Sequence, residues 1–159
     1  MTPKLEPIPI TAIEAARSRI APWAIRTPLV RLNTDDAQAE IYLKLENLQP
    51  IGSFKIRGAA NAMALATPED LANGVYTASA GNMAQGVGWL AEQLGIDFSV
   101  VVPDHAPQTK LDAIERLGGT TIKLPFEQWW EVITTHHYPG LKGLFIHPVS
   151  DPAVIAGNG

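Results

Sequence analysis

From Val75 to His147 the sequence alternates short apolar runs with helix-patterned segments, and this order restricts the fold more than any other feature. Val75–Ala78, Phe98–Val102, Thr120–Leu124 and Leu144–His147 read as strands. Between the first two, Asn82–Leu94 sets Met83, Val87, Leu90 and Leu94 on one helical face, stopped by Gly95. Leu111, Ile114 and Leu117 mark a second helix, closed by Gly118 and Gly119. Phe126, Trp129, Trp130 and Ile133 mark a third, at spacing i, i+3, i+4, i+7. The order β-α-β-α-β-α-β predicts an α/β fold of three layers, a parallel sheet covered by helices on both faces. Ligands of such sheets bind at the carboxyl ends of strands, in the strand-to-helix loops.

The residues before Val75 are less regular. Thr11 and Glu14 form a capping-box pattern that opens a helix to about Ile20. Leu29–Leu32 and Ile41–Leu45 are strand candidates, with a solvated loop at Asp35-Asp36 between them. A turn at Asn47–Gly52 leads to Ser53, placed to cap a helix that runs to about Leu65. Thr67-Pro68-Glu69-Asp70 starts another helix, with proline at its first position, and Gly74 ends it. At the far end Asp151-Pro152 opens a helix whose apolar body is Ala153–Ala156. The chain is expected to be cut just after that element begins.

Composition removes several classes of function. Of the 159 residues 46% are hydrophobic, enough for a core, so wholesale disorder is excluded. Twelve basic residues face sixteen acidic ones, a net charge of −4, and no basic stripe offers itself to nucleic acid. Cysteine is absent, which excludes a disulfide framework and a cysteine-based zinc site. No apolar run approaches the roughly 20 residues of a membrane helix. Prolines and Glu6 interrupt the start, so no signal peptide is read there, and a cytoplasmic location is expected.

Two segments carry chemistry. In Gln49-Pro-Ile-Gly-Ser-Phe-Lys-Ile-Arg-Gly58, Lys55 falls in the first turn of a helix. The positive end of the helix dipole disfavours its ammonium, and Arg57 adds to the effect. A lysine so depressed can form a Schiff base with an aldehyde cofactor, although on spacing alone a surface lysine is the default. In Thr77-Ala-Ser-Ala-Gly-Asn-Met-Ala-Gln-Gly86, small residues leave backbone N–H groups open at a helix N-terminus, an anion site for a carboxylate or phosphate. A plain strand-to-helix turn capped by Asn82 fits the same residues. Neither a P-loop nor a Gly-x-Gly-x-x-Gly fingerprint is present. Adjacent His136 and His137 diverge on a helix and cannot jointly hold a metal. His105 sits in a loop, His147 is read as a packing residue, and Trp129 and Trp130 as core or edge residues of a helix.

Together these residues resemble the serine/threonine dehydratase family, pyridoxal-phosphate enzymes of the tryptophan-synthase-β fold type. The resemblance rests on Tyr42-Leu-Lys-Leu-Glu46, the Gly-Ser-Phe-Lys-Ile-Arg-Gly block at 52–58, and Ser79-Ala-Gly-Asn82 with Ala84-Gln-Gly86. It continues through Val101-Val-Pro103, Lys110, His147-Pro148 and Asp151-Pro-Ala-Val-Ile-Ala-Gly157. It implies the small α/β domain of that fold type at 67–150. An incomplete part of the large cofactor domain at 1–66 carries the Schiff-base lysine, and 151–159 starts the return to the large domain. Lys55 matches the lysine that holds pyridoxal phosphate, Phe54 the residue packed near its ring, and Asn82 the partner of its 3-hydroxyl. Ser79, Ala80, Gly81, Asn82 and Met83 match the substrate-binding loop.

The activity so implied is dehydration and deamination of L-threonine or L-serine to 2-oxobutyrate or pyruvate plus ammonia. The partner is a small amino-acid substrate, and the full-length protein is expected to be a homo-oligomer. Serine racemase, hydroxyaspartate lyase and a non-catalytic truncated α/β module are the alternatives. Ala80 stands where related racemases carry serine, which favours dehydration. Met83 stands where many members have histidine, and Val149 where a larger or polar residue is usual. The family's glycine-rich phosphate loop has no counterpart in this sequence, so the cofactor site is expected to be half-built.

Overall fold

The computed structural model describes residues 6–34 and 38–159, and the loop expected at Asp35-Asp36 lies outside them. Helix α1 (Ile10–Ile20) precedes a two-stranded antiparallel ribbon of β1 (Leu29–Arg31) and β2 (Tyr42–Lys44). A 3-10 turn at Glu46–Leu48 leads into α2 (Lys55–Leu65) and the short α3 (Pro68–Leu71). Next come β3 (Val75–Thr77), α4 (Asn82–Leu94), β4 (Phe98–Pro103), α5 (Gln108–Glu115) and β5 (Thr120–Leu124). The chain finishes with α6 (Phe126–Thr135), β6 (Leu144–Phe145) and α7 (Pro152–Asn158).

The four later strands form the expected parallel sheet, in the order β5-β4-β3-β6. Side chains on a strand alternate between faces, and the buried ones divide accordingly. Val75, Val100 and Val102 join a large core with α1, α2, α4, α5 and α7, whereas Tyr76 and Val101 join a smaller one with α6. The sheet is therefore covered on both faces, by α4 and α5 on one and α6 on the other. Connections through α4 and α5 step outward from β3, and the connection through α6 returns to the far side of β3. The strand order thus reverses between β3 and β6, the position where open α/β sheets form a crevice at the carboxyl ends of their strands. No described helix is long and apolar enough to cross a membrane.

Helix α2 is the bridge between this sheet and the N-terminal segment. Ile56, Ala59, Ala60 and Met63 are buried, and α2 meets α7 through glycines. A Cβ on Gly157 would lie 2.5 Å from the Arg57 carbonyl oxygen and 2.9 Å from the Gly58 Cα. A Cβ on Gly58 would lie 2.7 Å from a Val154 methyl and 2.8 Å from its carbonyl oxygen. Backbone on both sides leaves no rotamer through which to escape. Gly157→Ala is expected to lose about 2 kcal/mol of stability in urea unfolding, the clash outweighing the roughly 1 kcal/mol that alanine contributes to a helix.

Several local expectations are corrected. The Thr11–Glu14 capping box does not form. Pro9, extended at φ −69°, takes the N-cap position, its carbonyl accepts from the Ala12 N–H, and α1 starts at Ile10 with Thr11 inside it. Ser53 makes no cap, since Phe54 stands at that position in helical conformation. Leu94 is 43% exposed, in the last turn of α4 before Gly95 closes it at φ +65°. On α6 the buried residue is Val132. Phe126 and Trp130 lie near half exposed, their rings stacked on each other with Trp129 alongside. Trp129 and Ile133 do pack against the smaller core beside Val132, whereas Phe126 and Trp130 fall outside that flank and cover each other. The Thr67–Asp70 capping box does form, both of its hydrogen bonds being present.

Candidate active site

Both chemistry-bearing segments converge on the β3/β6 crevice. Lys55 is the first residue of α2, and Gly86 of α4 lies against its backbone. A Cβ there would sit 3.3 Å from both the Lys55 carbonyl carbon and its oxygen. This close approach brings the N-terminus of α4 beside that of α2. Lys55 Nζ donates to the Pro148 carbonyl oxygen, 2.9 Å away, just beyond β6. Thr77 Oγ1 ties the crevice walls by donating to the Ile146 carbonyl at 2.8 Å. Among the described residues no carboxylate pairs with Lys55, and burial lowers its pKa below the usual ammonium value. Phe54 leaves its ring 43% exposed, with Lys55 Nζ 5.2 Å from its centroid. Ser53 is 7% exposed and its hydroxyl has no partner.

The loop from β3 to α4 presents the second half. Gly81 is the N-cap of α4 and no side chain caps the helix, so its first-turn N–H groups remain free to bind an anion. Ser79 Oγ accepts from the Gly81 N–H at 3.2 Å, which fixes the loop. Ser79, Ala80 and Gly81 are half-buried and Asn82 is exposed. Met83 points elsewhere: it is 1% exposed and packed in the large core, leaving its backbone N–H as its contribution to the loop.

A polar network behind Lys55 was not foreseen. Arg57 grips Glu46 with both arms of its guanidinium, Nε to Oε2 at 2.8 Å and Nη2 to Oε1 at 2.7 Å. Arg57 Nη2 also donates to the Ile25 carbonyl at 3.0 Å. Gln49 donates to Glu46 at 3.1 Å and exchanges two hydrogen bonds with the Ile25 backbone, and Thr27 donates to Glu46 as well. Hydrogen bonding from Arg57 pulls the Glu46 pKa down to about 2, against the opposing effect of burial. The alternation of charge and amide in Glu46, Gln49 and Arg57 was the available signal. The network lines a cavity of about 1040 Å³ with α1, Phe54 and the end of α7, to which Lys55 does not contribute.

A second unforeseen group lies at the end of β6. His147 is 3% exposed and its ring lies against that of His136, tilted by 36° with centroids 4.2 Å apart. His136 ends α6 in the left-handed conformation, at φ +58°.

A doubly wound α/β unit with a half-buried lysine that no described carboxylate pairs, and an uncapped helix N-terminus at its switch point, is the arrangement of a lysine-dependent small-molecule enzyme. The chain belongs to the family described as pyridoxal-phosphate dependent enzyme, whose pattern matches residues 20–159. It is 40% identical over 152 residues to the L-threonine dehydratase catabolic TdcB of Staphylococcus aureus, covering 92% of this chain and 44% of that protein. Serine racemase from Dictyostelium discoideum superposes with a TM-score of 0.82 at 36% identity, over 94% of this chain and 50% of that one. Threonine deaminase isoform 2 from Solanum lycopersicum gives 0.80 at 33% identity, over 93% and 42%. The chain thus spans about half the length of the relatives it matches. The residues present fit the family's cofactor: a desolvated amine, an exposed aromatic face beside it and an unsatisfied hydroxyl two residues before it.

Proposed function

We propose that the protein carrying this chain dehydrates and deaminates L-threonine or L-serine, releasing 2-oxobutyrate or pyruvate and ammonia. The observation that carries the reading is Lys55 Nζ, unpaired with any described carboxylate, in the same crevice as the free N–H groups of α4. In this reading Lys55 holds the cofactor, Phe54 packs against its ring and Asn82 meets its hydroxyl. Residues 1–66 and 151–159 form the cofactor side, and 67–150 form the small α/β domain. Bound pyridoxal phosphate supplies an electron sink for a carbanion at Cα of an amino acid. The N–H groups at Ser79–Asn82 bind the substrate carboxylate and orient Cα. Lys55 Nζ takes the Cα proton, a task that the downward shift of its pKa by burial favours. The Cβ hydroxyl leaves with one proton, so that the hydrogen lost from Cα and the hydroxyl lost from Cβ balance as water, and hydrolysis of the dehydrated product gives the 2-oxo acid and ammonia.

Racemisation is the second reading, prompted by the likeness to the Dictyostelium serine racemase. It needs a proton-carrying group facing Cα opposite Lys55, and Ala80 offers none. The test is product analysis with pyridoxal phosphate and L-threonine or L-serine. Release of 2-oxo acid supports the proposal, D-serine without 2-oxo acid supports the second reading, and neither product overturns both. Ala80→Ser is expected to add measurable D-serine formation, followed by chiral chromatography.

A further inference from the structure

Lys55 is held by one carbonyl, and the position of that carbonyl depends on the turn that follows β6. Pro148 supplies the acceptor for Lys55 Nζ and has no N–H of its own with which to anchor the turn. The residues on either side do the anchoring. His147 Nδ1 accepts from the Val149 N–H at 3.1 Å and from the Ser150 N–H at 2.8 Å. An atom facing two backbone donors must be the unprotonated nitrogen. The proton is therefore on Nε2, which donates to the Ile133 carbonyl of α6 at 3.1 Å. Nδ1 thus bends the chain back over Pro148, while Nε2 pins the ring to α6.

We propose that His147 is a positioning residue for Lys55: in its Nε2–H tautomer it fixes the 147–150 turn and thereby sets the Pro148 carbonyl against Lys55 Nζ. The inference deepens the role given to Lys55 above and rests on that reading for its functional meaning, while its structural content stands without the cofactor. Ser150 Oγ lies 2.9 Å from Nδ1 and 3.1 Å from Nε2, over the ring rather than along a lone pair. It is also 3.3 Å from His136 Nε2. This geometry, with Nδ1 already occupied by two N–H groups, argues against a serine–histidine nucleophile and for a built turn.

Protonating His147 turns Nδ1 into a donor facing two donors, which must open the turn. The groups facing it are the His136 ring, the Asp151 carboxylate that caps α7, and Glu6 in the cavity the two histidines share. Lys55 adds its charge through Pro148. Burial and the neighbouring His136 lower the His147 pKa, against the opposing effects of the Ile133 carbonyl and Asp151. The neutral, turn-holding form therefore persists through neutral pH and is lost only below the ordinary imidazole range.

Two variants separate the halves of the ring. Asparagine places an acceptor near Nδ1 and abandons Ile133, whereas glutamine reaches Ile133 and abandons the two N–H groups. Lys55 is followed in the cofactor-free protein by the NMR titration of its 13Cε, and the turn by amide exchange at Val149 and Ser150. His147→Asn is expected to keep both readouts at wild-type values. His147→Gln is expected to expose both amides and to lower the Lys55 midpoint by about one unit, because the ammonium loses its acceptor. Equal disturbance by both variants marks His147 as mere packing and overturns the proposal, as does an unmoved Lys55 in His147→Gln. If His147→Gln fails to fold, the wild-type protein decides: exchange at Val149 and Ser150 must accelerate as His147 protonates, and exchange that follows its intrinsic pH dependence overturns the proposal. Failure of the cofactor assignment would instead leave these amide and lysine signals intact.

Discussion

Lys55→Ala protein is expected to fold as the parent does and to lose cofactor attachment completely. Lys55 is the first residue of α2, where alanine is well tolerated, and the substitution gives up the hydrogen bond to Pro148 and the contact with the Phe54 ring. The protein that carries this chain, mixed with pyridoxal phosphate and reduced with borohydride, should carry one adduct on Lys55 by mass spectrometry. Burial lowers the Lys55 pKa, so a larger share of this amine is unprotonated than of a surface lysine. In Lys55→Ala the visible absorbance band and the adduct both vanish, while circular dichroism and the urea midpoint remain near wild type. Turnover in the protein that carries this chain falls on the order of 10²–10⁴-fold from loss of the base alone. A stoichiometric adduct on another lysine, with turnover retained, would falsify the assignment.

The same residues show what sequence reasoning reaches. The parallel sheet was legible because four apolar runs alternate with three helical patterns, and both periods survive in the structure. Lys55 and the Ser79–Asn82 loop were legible as motifs, but their meeting was not. It depends on Gly86 allowing α4 to touch the backbone of Lys55, a contact 31 residues distant in sequence. Helix starts were read less well, since Thr11 and Ser53 have the right chemistry for caps and lost the position to Pro9 and Phe54. Ser53 then keeps an unsatisfied hydroxyl beside the site. His147 looked like packing because nothing in a linear sequence shows that its two nitrogens face donors on one side and a carbonyl on the other.

The second large effect is expected at Arg57. This guanidinium and Glu46 are each only 16% exposed, and the pair organises Thr27, Gln49 and the Ile25 backbone around it. Arg57→Ala leaves a largely desolvated carboxylate without its bidentate partner, and a loss of about 3 kcal/mol in urea unfolding is expected. Acid should expose the same interaction from the other side. Glu46 titrates at about 2 in the folded protein, below its ordinary 4.5, so the folded state binds this proton less readily than the unfolded one. Its contribution is complete above pH 4.5 and disappears as pH falls toward 2. Glu46→Gln, which still accepts from Arg57 but cannot ionise, should therefore flatten the stability curve in that window while lowering the plateau above it. Equal acid slopes in the two proteins would remove Glu46 from the account. Because Arg57 follows Lys55 by two residues on α2, the network also holds the helix turn that carries the amine. An Arg57→Ala protein kept folded should accordingly form the Lys55 adduct more slowly, whereas a purely global stabilising role would leave that rate unchanged.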